Sequence, residues 1–311
     1  MTSAREVILD GVLAVLPTPF DDAGAISIPD IEREVDWALA RGVRGVVVLG
    51  VSGEVFRLSD DERRSIVEEA ARAINGRVPL VAGTGHLSTV LAVGAARSAV
   101  EVGAAALLVP PPPIGQSSEE AILGYYGAVA DAVDIPIILQ DDPVHLGVGL
   151  SVQTIHKLAS SYPNCRFAKL EELPSMPKMR EVMDATNGAV RCLGGSGGVY
   201  VLEELEAGAS GIMTGFAFPE ALVAVCDAWE RGDHDAARAA FHVVGDLARL
   251  EALPKFALSI RKRLYAARGA LSNGSLRMPA VEVDEWTWRL VERELFRVEA
   301  AWSADGPAVR R

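Results

Sequence analysis

Residues 165–174 read CRFAKLEELP, which sets Lys169 inside a short run that reads as a buried strand, with Glu171 two places on. Taking an ammonium out of water is costly, so an interior lysine must find a counter-charge, give up its proton or react. Side chains alternate along a strand, so Phe167, Lys169 and Glu171 share one face and Ala168 and Leu170 the other. A lysine and a carboxylate on one face can form a plain structural ion pair. They can also do chemistry, the free amine attacking a ketone while the acid moves protons beside it.

Other segments supply groups of the same kind. GVSGE at 50–54 offers the Ser52 hydroxyl and the backbone N–H groups of Ser52 and Gly53, with Val51 beside them, to a carboxylate. Its competing use is an ordinary strand-to-helix turn. QDDPVHLG brings Gln140 and His145 to the end of one predicted strand, and GIMTG brings Thr214 to the end of another. GGSGG at 194–198, with Gly195, shapes a pocket, takes up a phosphate or is simply a loop, and His86 in GTGH either meets substrate hydroxyls or is loop polarity. The aromatic residues of EWTWRLVERELF have the spacing of helix packing.

The elements that must position these groups are legible as alternation. Apolar, β-branched runs start at residues 11 (GVLAVL), 45 (GVVVL), 79 (PLVAG), 105 (AALLVP), 136 (PIILQ), 166 (RFAKLE), 189 (AVRCL) and 211 (GIMTG), with helix-period segments between them. IPDIEREVDWALARG and SDDERRSIVEEAARAI each open with an N-cap type of residue, Asp or Ser. Strands this apolar need cover on both faces, so eight such units predict an α/β fold, a (β/α)8 barrel, with its chemistry at the mouth where Lys169 and Glu171 point. An open doubly wound sheet usually has a Gly-rich turn after its first strand, where this chain has PTPFDDAG. The expected division is a barrel over 1–225, a C-terminal helical extension over 226–303 and a frayed tail over 304–311.

Bulk properties narrow the class. Half of the 311 residues are apolar and 23% are charged, which suits one large core. A net charge of −12 argues against a nucleic-acid surface. No run approaches a membrane span, and MTSAREVILDGVL has no export signature, so a cytoplasmic protein is expected. Cys165, Cys192 and Cys226 are scattered, as reduced thiols are, and the five histidines have no metal-ligand spacing, so no metal is expected.

Four motifs at barrel-compatible spacing carry a resemblance running from Gly11 to about Pro279: PTPF at 17–20, GVSGE at 50–54, QDDPVHLG after IP, and FAKLEE. PKFAL and LRMP nearer the C-terminus also fit. The sequence resembles the dihydrodipicolinate synthase and N-acetylneuraminate lyase superfamily. That resemblance implies a homotetramer, or here a homodimer, acting on a small-molecule 2-oxo acid. It implies no cofactor, because Lys169 forms a covalent imine with substrate that serves as the electron sink.

Three synthase features are replaced. Gln140 stands where most of the superfamily has a proton-relaying tyrosine, His145 where synthases have an arginine, and PPPP at 110–113 where they have an aromatic pair. A carboxamide does not titrate near neutral pH. QDDP and AKLE are instead similar to the branch typified by L-2-keto-3-deoxyarabonate dehydratase, which implies dehydration of a 2-keto-3-deoxy sugar acid with Glu171 as acid and base. GVSGE is closer to the synthase and lyase form. A pyruvate-dependent aldolase or synthase-type condensation through the same imine remains the alternative, and so does a catalytically silent protein that binds an oxo acid.

Overall fold

The computed structural model describes residues 7–112 and 118–305. Eight strands form where the sequence predicts them: β1 (Gly11–Val15), β2 (Gly45–Val48), β3 (Leu80–Gly83), β4 (Ala106–Val109), β5 (Ile137–Asp141), β6 (Cys165–Leu170), β7 (Arg191–Gly194) and β8 (Gly211–Thr214). They close in chain order into one parallel barrel, with Gly11 of β1 opposite Gly211 of β8.

Alternation divides the core in two. Leu13, Val47, Val81, Leu108, Ile138, Phe167 and Met213 fill the lumen. Their neighbours Val46, Ala82, Leu107, Leu139, Ala168 and Ile212 pack against the helices. Burying a side chain of this size stabilises the fold by about 1.5–3 kcal/mol. A one-residue slip of any strand would exchange the two sets, so the register is strongly fixed.

The helices of the barrel are α1 (Ile28–Leu39), α2 (Asp60–Ile74), α3 (Thr89–Glu101), α4 (Glu119–Ala130), a single turn α5 (Pro143–Leu146), α6 (Val152–Ser161), α7 (Ser175–Ala185), α8 (Val201–Glu206) and α9 (Pro219–Glu230). Ser59 begins α2 with a full capping box closed by Glu62. Asp30, whose type suggests a cap for α1, lies inside its first turn and binds the Ser272 backbone N–H at 3.2 Å, while Ser27 occupies the N-cap. The loop at Ser272 takes that carboxylate away from the helix end.

Beyond the barrel lie α10 (His234–Glu251), α11 (Ala257–Ala267) and α12 (Glu285–Asp305). The expected boundary at 225/226 falls inside α9, which completes the eighth βα unit by packing on β1. The extension therefore starts at α10. The α12 helix runs to Asp305, past the expected start of the frayed tail, and residues 306–311 and Pro113 of the proline run lie outside the described residues. No helix among the described residues is long and apolar enough to cross a membrane. Cys165, Cys192 and Cys226 are buried and unpaired, and burial pushes each thiol up to about 12.

Candidate active site

Lys169 lies at the end of β6, 5% exposed, in register with Gln140 of β5 and Leu193 of β7. Phe167 below it belongs to the lumen, so the two-residue period carries Lys169 and then Glu171 up the same inner wall into the barrel mouth. Lys169 Nζ stands 2.8 Å from Glu171 Oε2. Gln140 Nε2 donates to the same oxygen at 3.2 Å. Glu171 Oε1 accepts the Ser196 backbone N–H at 3.4 Å. Ser196 has a left-handed φ of +44°, a conformation of real cost for a non-glycine residue, and it is the turn after β7 that aims this N–H. Gly195 makes room: a Cβ there would lie 2.6 Å from both Cγ and Oε1 of Glu171.

A second layer of charge holds the strands. Asp141 alternates outward, takes the Leu150 N–H at 2.7 Å and meets Lys178 of α7 at 2.6 Å, while Lys178 also reaches Glu172 at 2.7 Å. Burial pushes the Asp141 carboxyl up, against the pull of Lys178. Asp142 caps α5 and holds the His145 ring, with Nδ1 2.9 Å from its carboxylate. Burial alone would raise the Asp142 carboxyl, but the His145 hydrogen bond and charge, with Lys169, bring it below its ordinary value. Donating to the Asp142 carboxylate raises His145, whose side chain is 62% exposed and feels the charges of Glu171 and Lys169. His145 thus holds its proton more firmly than a free imidazole does, within the field of the Lys169–Glu171 pair.

Glu204 of α8 lies behind this wall. Ser175 Oγ donates to its Oε1 at 2.9 Å, and a Cβ at Gly194 would collide with its carboxyl. Burial pushes Glu204 up to about 7, with Ser175 opposing.

GVSGE forms a 3-10 turn over Val51–Gly53 at the mouth of β2. The Gly53 N–H closes that turn on Gly50 O at 2.9 Å, and Gly53 O accepts the Thr18 hydroxyl at 2.6 Å. Among the described residues the Ser52 N–H has no such engagement, so the Ser52 amide and hydroxyl are the available members of the expected clamp, and the Gly53 N–H is not. Arg261 Nη1 donates to Ser52 Oγ at 2.6 Å. Glu54 turns away beneath α11, where it pairs with the buried Lys262 at 2.6 Å. Lys262 is lowered by burial, against Glu54, and its ammonium also donates to Ser275 O at 2.7 Å, so this second buried lysine is a structural one.

One expected contact falls elsewhere, and His86 is engaged by protein groups. Met213 is in the lumen, so Thr214 alternates to the helix side, its methyl 3.6 Å from the Cβ position of Gly198, and the place at the mouth belongs to Gly215. The backbone of His86 is held by the Tyr125 hydroxyl, and its ring lies 3.9 Å from Asp60 of α2. Sequence reasoning missed Ser196 and Arg261. The first acts through an N–H that every non-proline residue has, and the second is 209 residues from its partner Ser52.

The family model of the dihydrodipicolinate synthetase family matches residues 8–295. An L-2-keto-3-deoxyarabonate dehydratase of Azospirillum brasilense is 32% identical over 78% of this chain and 79% of its own. A 4-hydroxy-tetrahydrodipicolinate synthase of Pelobacter propionicus is 32% identical over 73% of this chain and 78% of its own. The crystal structure of dihydrodipicolinate synthase from Rhodopseudomonas palustris superposes with a TM-score of 0.87 at 29% identity, covering 93% of this chain and 97% of that one.

Proposed function

Because this chain belongs to the dihydrodipicolinate synthetase family, we propose that it is a lyase whose Lys169 forms a Schiff base with a 2-oxo acid, and that the reaction is dehydration of a 2-keto-3-deoxy sugar acid. The observation that carries this is the Glu171 carboxylate 2.8 Å from the Lys169 amine, on a wall where the neighbouring Gln140 cannot titrate. The similarity to a keto-deoxy acid dehydratase supports it.

Glu171 takes a proton from the Lys169 ammonium as the ketone enters, and the free amine adds to C2. The carbinolamine hydroxyl leaves as water with that proton, which gives a cationic imine. Glu171 then removes a C3 proton, and its electron pair forms the enamine. The C4 hydroxyl departs with a proton returned by Glu171, leaving a C3–C4 double bond conjugated to the imine. Water attacks C2 and restores both the amine and a ketone. Gln140 and the Ser196 N–H keep the carboxylate aimed throughout, and His145 meets the hydroxylated end of the substrate. Ser52 binds the substrate carboxylate.

Incubation with a 2-keto-3-deoxy acid or pyruvate, followed by borohydride reduction, yields a mass adduct on Lys169 that is lost in Lys169→Ala. Glu171→Gln still forms the adduct at saturating ketone, but its dehydration rate falls about 10²- to 10⁴-fold. No adduct at Lys169, or an unimpaired Glu171→Gln, overturns this mechanism. Release of a free aldehyde in place of water loss identifies carbon–carbon cleavage.

A further inference from the structure

One charge from the C-terminal helices enters the barrel mouth. Alternation past Met213 gives Gly215, just beyond β8, the next inward place, and a Cβ there would lie 3.0 Å from Arg261 Cδ and 3.1 Å from its Nε. The arginine stem of α11 thus occupies the space a strand side chain would fill. Arg261 is 7% exposed, so its charge needs partners. Nε donates to Glu251 Oε1 of α10 at 2.6 Å, and Glu251 in turn accepts the Ala217 N–H at 2.9 Å. Nη1 donates to Ser52 Oγ at 2.6 Å. Among the described residues Nη2 donates to no protein atom, and it is not fully enclosed.

The bond to Ser52 has a directional consequence. A hydroxyl has one proton and two lone pairs. With a guanidinium donating to its oxygen, Ser52 is left to donate its own proton elsewhere. The Ser52 hydroxyl and Arg261 Nη2 are therefore two neighbouring donors, one charged, at the mouth of the barrel. A planar guanidinium can serve two carboxylates from different edges of one rigid fork, a fixed directionality that a lysine's point charge lacks. Anchoring to Glu251 needs only Nε. The adjacent Lys262 shows the contrast, being spent on Glu54 and Ser275.

We propose that Arg261 is a substrate-binding residue that, together with Ser52, holds the carboxylate next to the reacting ketone. This rests on the Schiff-base reading above and adds the group that reads the acid. Adduct formation on Lys169 is titrated with pyruvate and with its neutral amide, pyruvamide, using borohydride trapping. The variants are Arg261→Met combined with Glu251→Gln, which leaves no uncompensated buried carboxylate, and Arg261→Lys, which keeps a charge for Glu251. In both, the half-saturating pyruvate concentration rises, roughly 10- to 100-fold in the double variant. That for pyruvamide stays within about twofold, and maximal labelling is retained. Equal shifts for acid and amide, or none for either, overturn the assignment and leave the lysine chemistry standing. Absence of any adduct in the unaltered protein overturns both.

Discussion

One methyl group is enough to test how the Glu171 carboxylate is held. Gly195 leaves no space between its backbone and Glu171, whose carboxyl would lie 2.6–2.8 Å from an added Cβ. Gly195→Ala pushes that carboxylate off Lys169 and the Ser196 N–H without touching the barrel core. Its turnover is expected to fall by about 10²-fold, because positioning errors near 1 Å cost that much, while thermal unfolding moves by only a few degrees. Unchanged turnover, read by product formation at saturating substrate, would remove the Ser196 turn from the site. That Lys169 and Glu171 share a wall was legible from strand period, since parity decides which residues do, whereas Gln140 was singled out by the resemblance, as the residue in the tyrosine's place. The same parity, applied to β8 from Met213, turns Thr214 outward. Arg261 carried no such signal, because one basic residue in the helical SIRKRLYAARG looks like any other.

The elements behind the site couple it to pH. Packed from α8 against β7, the Glu204 carboxyl is pushed by burial from an ordinary 4.5 up to about 7. At low pH it is protonated in both folded and unfolded chains and has no effect. Between about pH 4.5 and 7 the unfolded chain ionises first, the folded state binds more protons, and stability falls as pH rises. Above that window the loss is constant at about 3 kcal/mol. Glu204→Gln keeps an acceptor for Ser175 and removes the ionisation. Urea unfolding is expected to show the variant gaining on the unaltered protein at pH 8 and matching it near pH 4.5. A difference independent of pH would mean that Glu204 does not titrate in this way. All eight strands were legible because buried parallel strands are written as continuous apolar runs. The α5 turn was not, since four residues set by the Asp142 cap give no periodicity. The 225/226 boundary went astray because α9 and α10 share one helical pattern and differ only in what they cover.

Across the whole molecule, helices α10–α12 do more than lengthen the chain. The hydrogen bonds from Arg261 to Ser52 and from the Ala217 N–H to Glu251, with the buried Glu54–Lys262 pair, join them to the mouths of β2 and β8, so the barrel and its extension are expected to open together. The three cysteines make that expectation measurable. Cys165 begins β6, Cys192 is in β7 and Cys226 in α9, none more than 2% exposed. In the closed protein each sulfur is both screened from reagent and kept as thiol, so an alkylating agent at pH 8 is expected to modify all three at one common rate, that of cooperative unfolding, followed by mass spectrometry over time. Faster modification of Cys165 than of Cys226 would mean that the lysine strand breathes alone. The sulfurs thus act as three stopwatches sealed into the protein at different depths, each started only when the wall around it gives way.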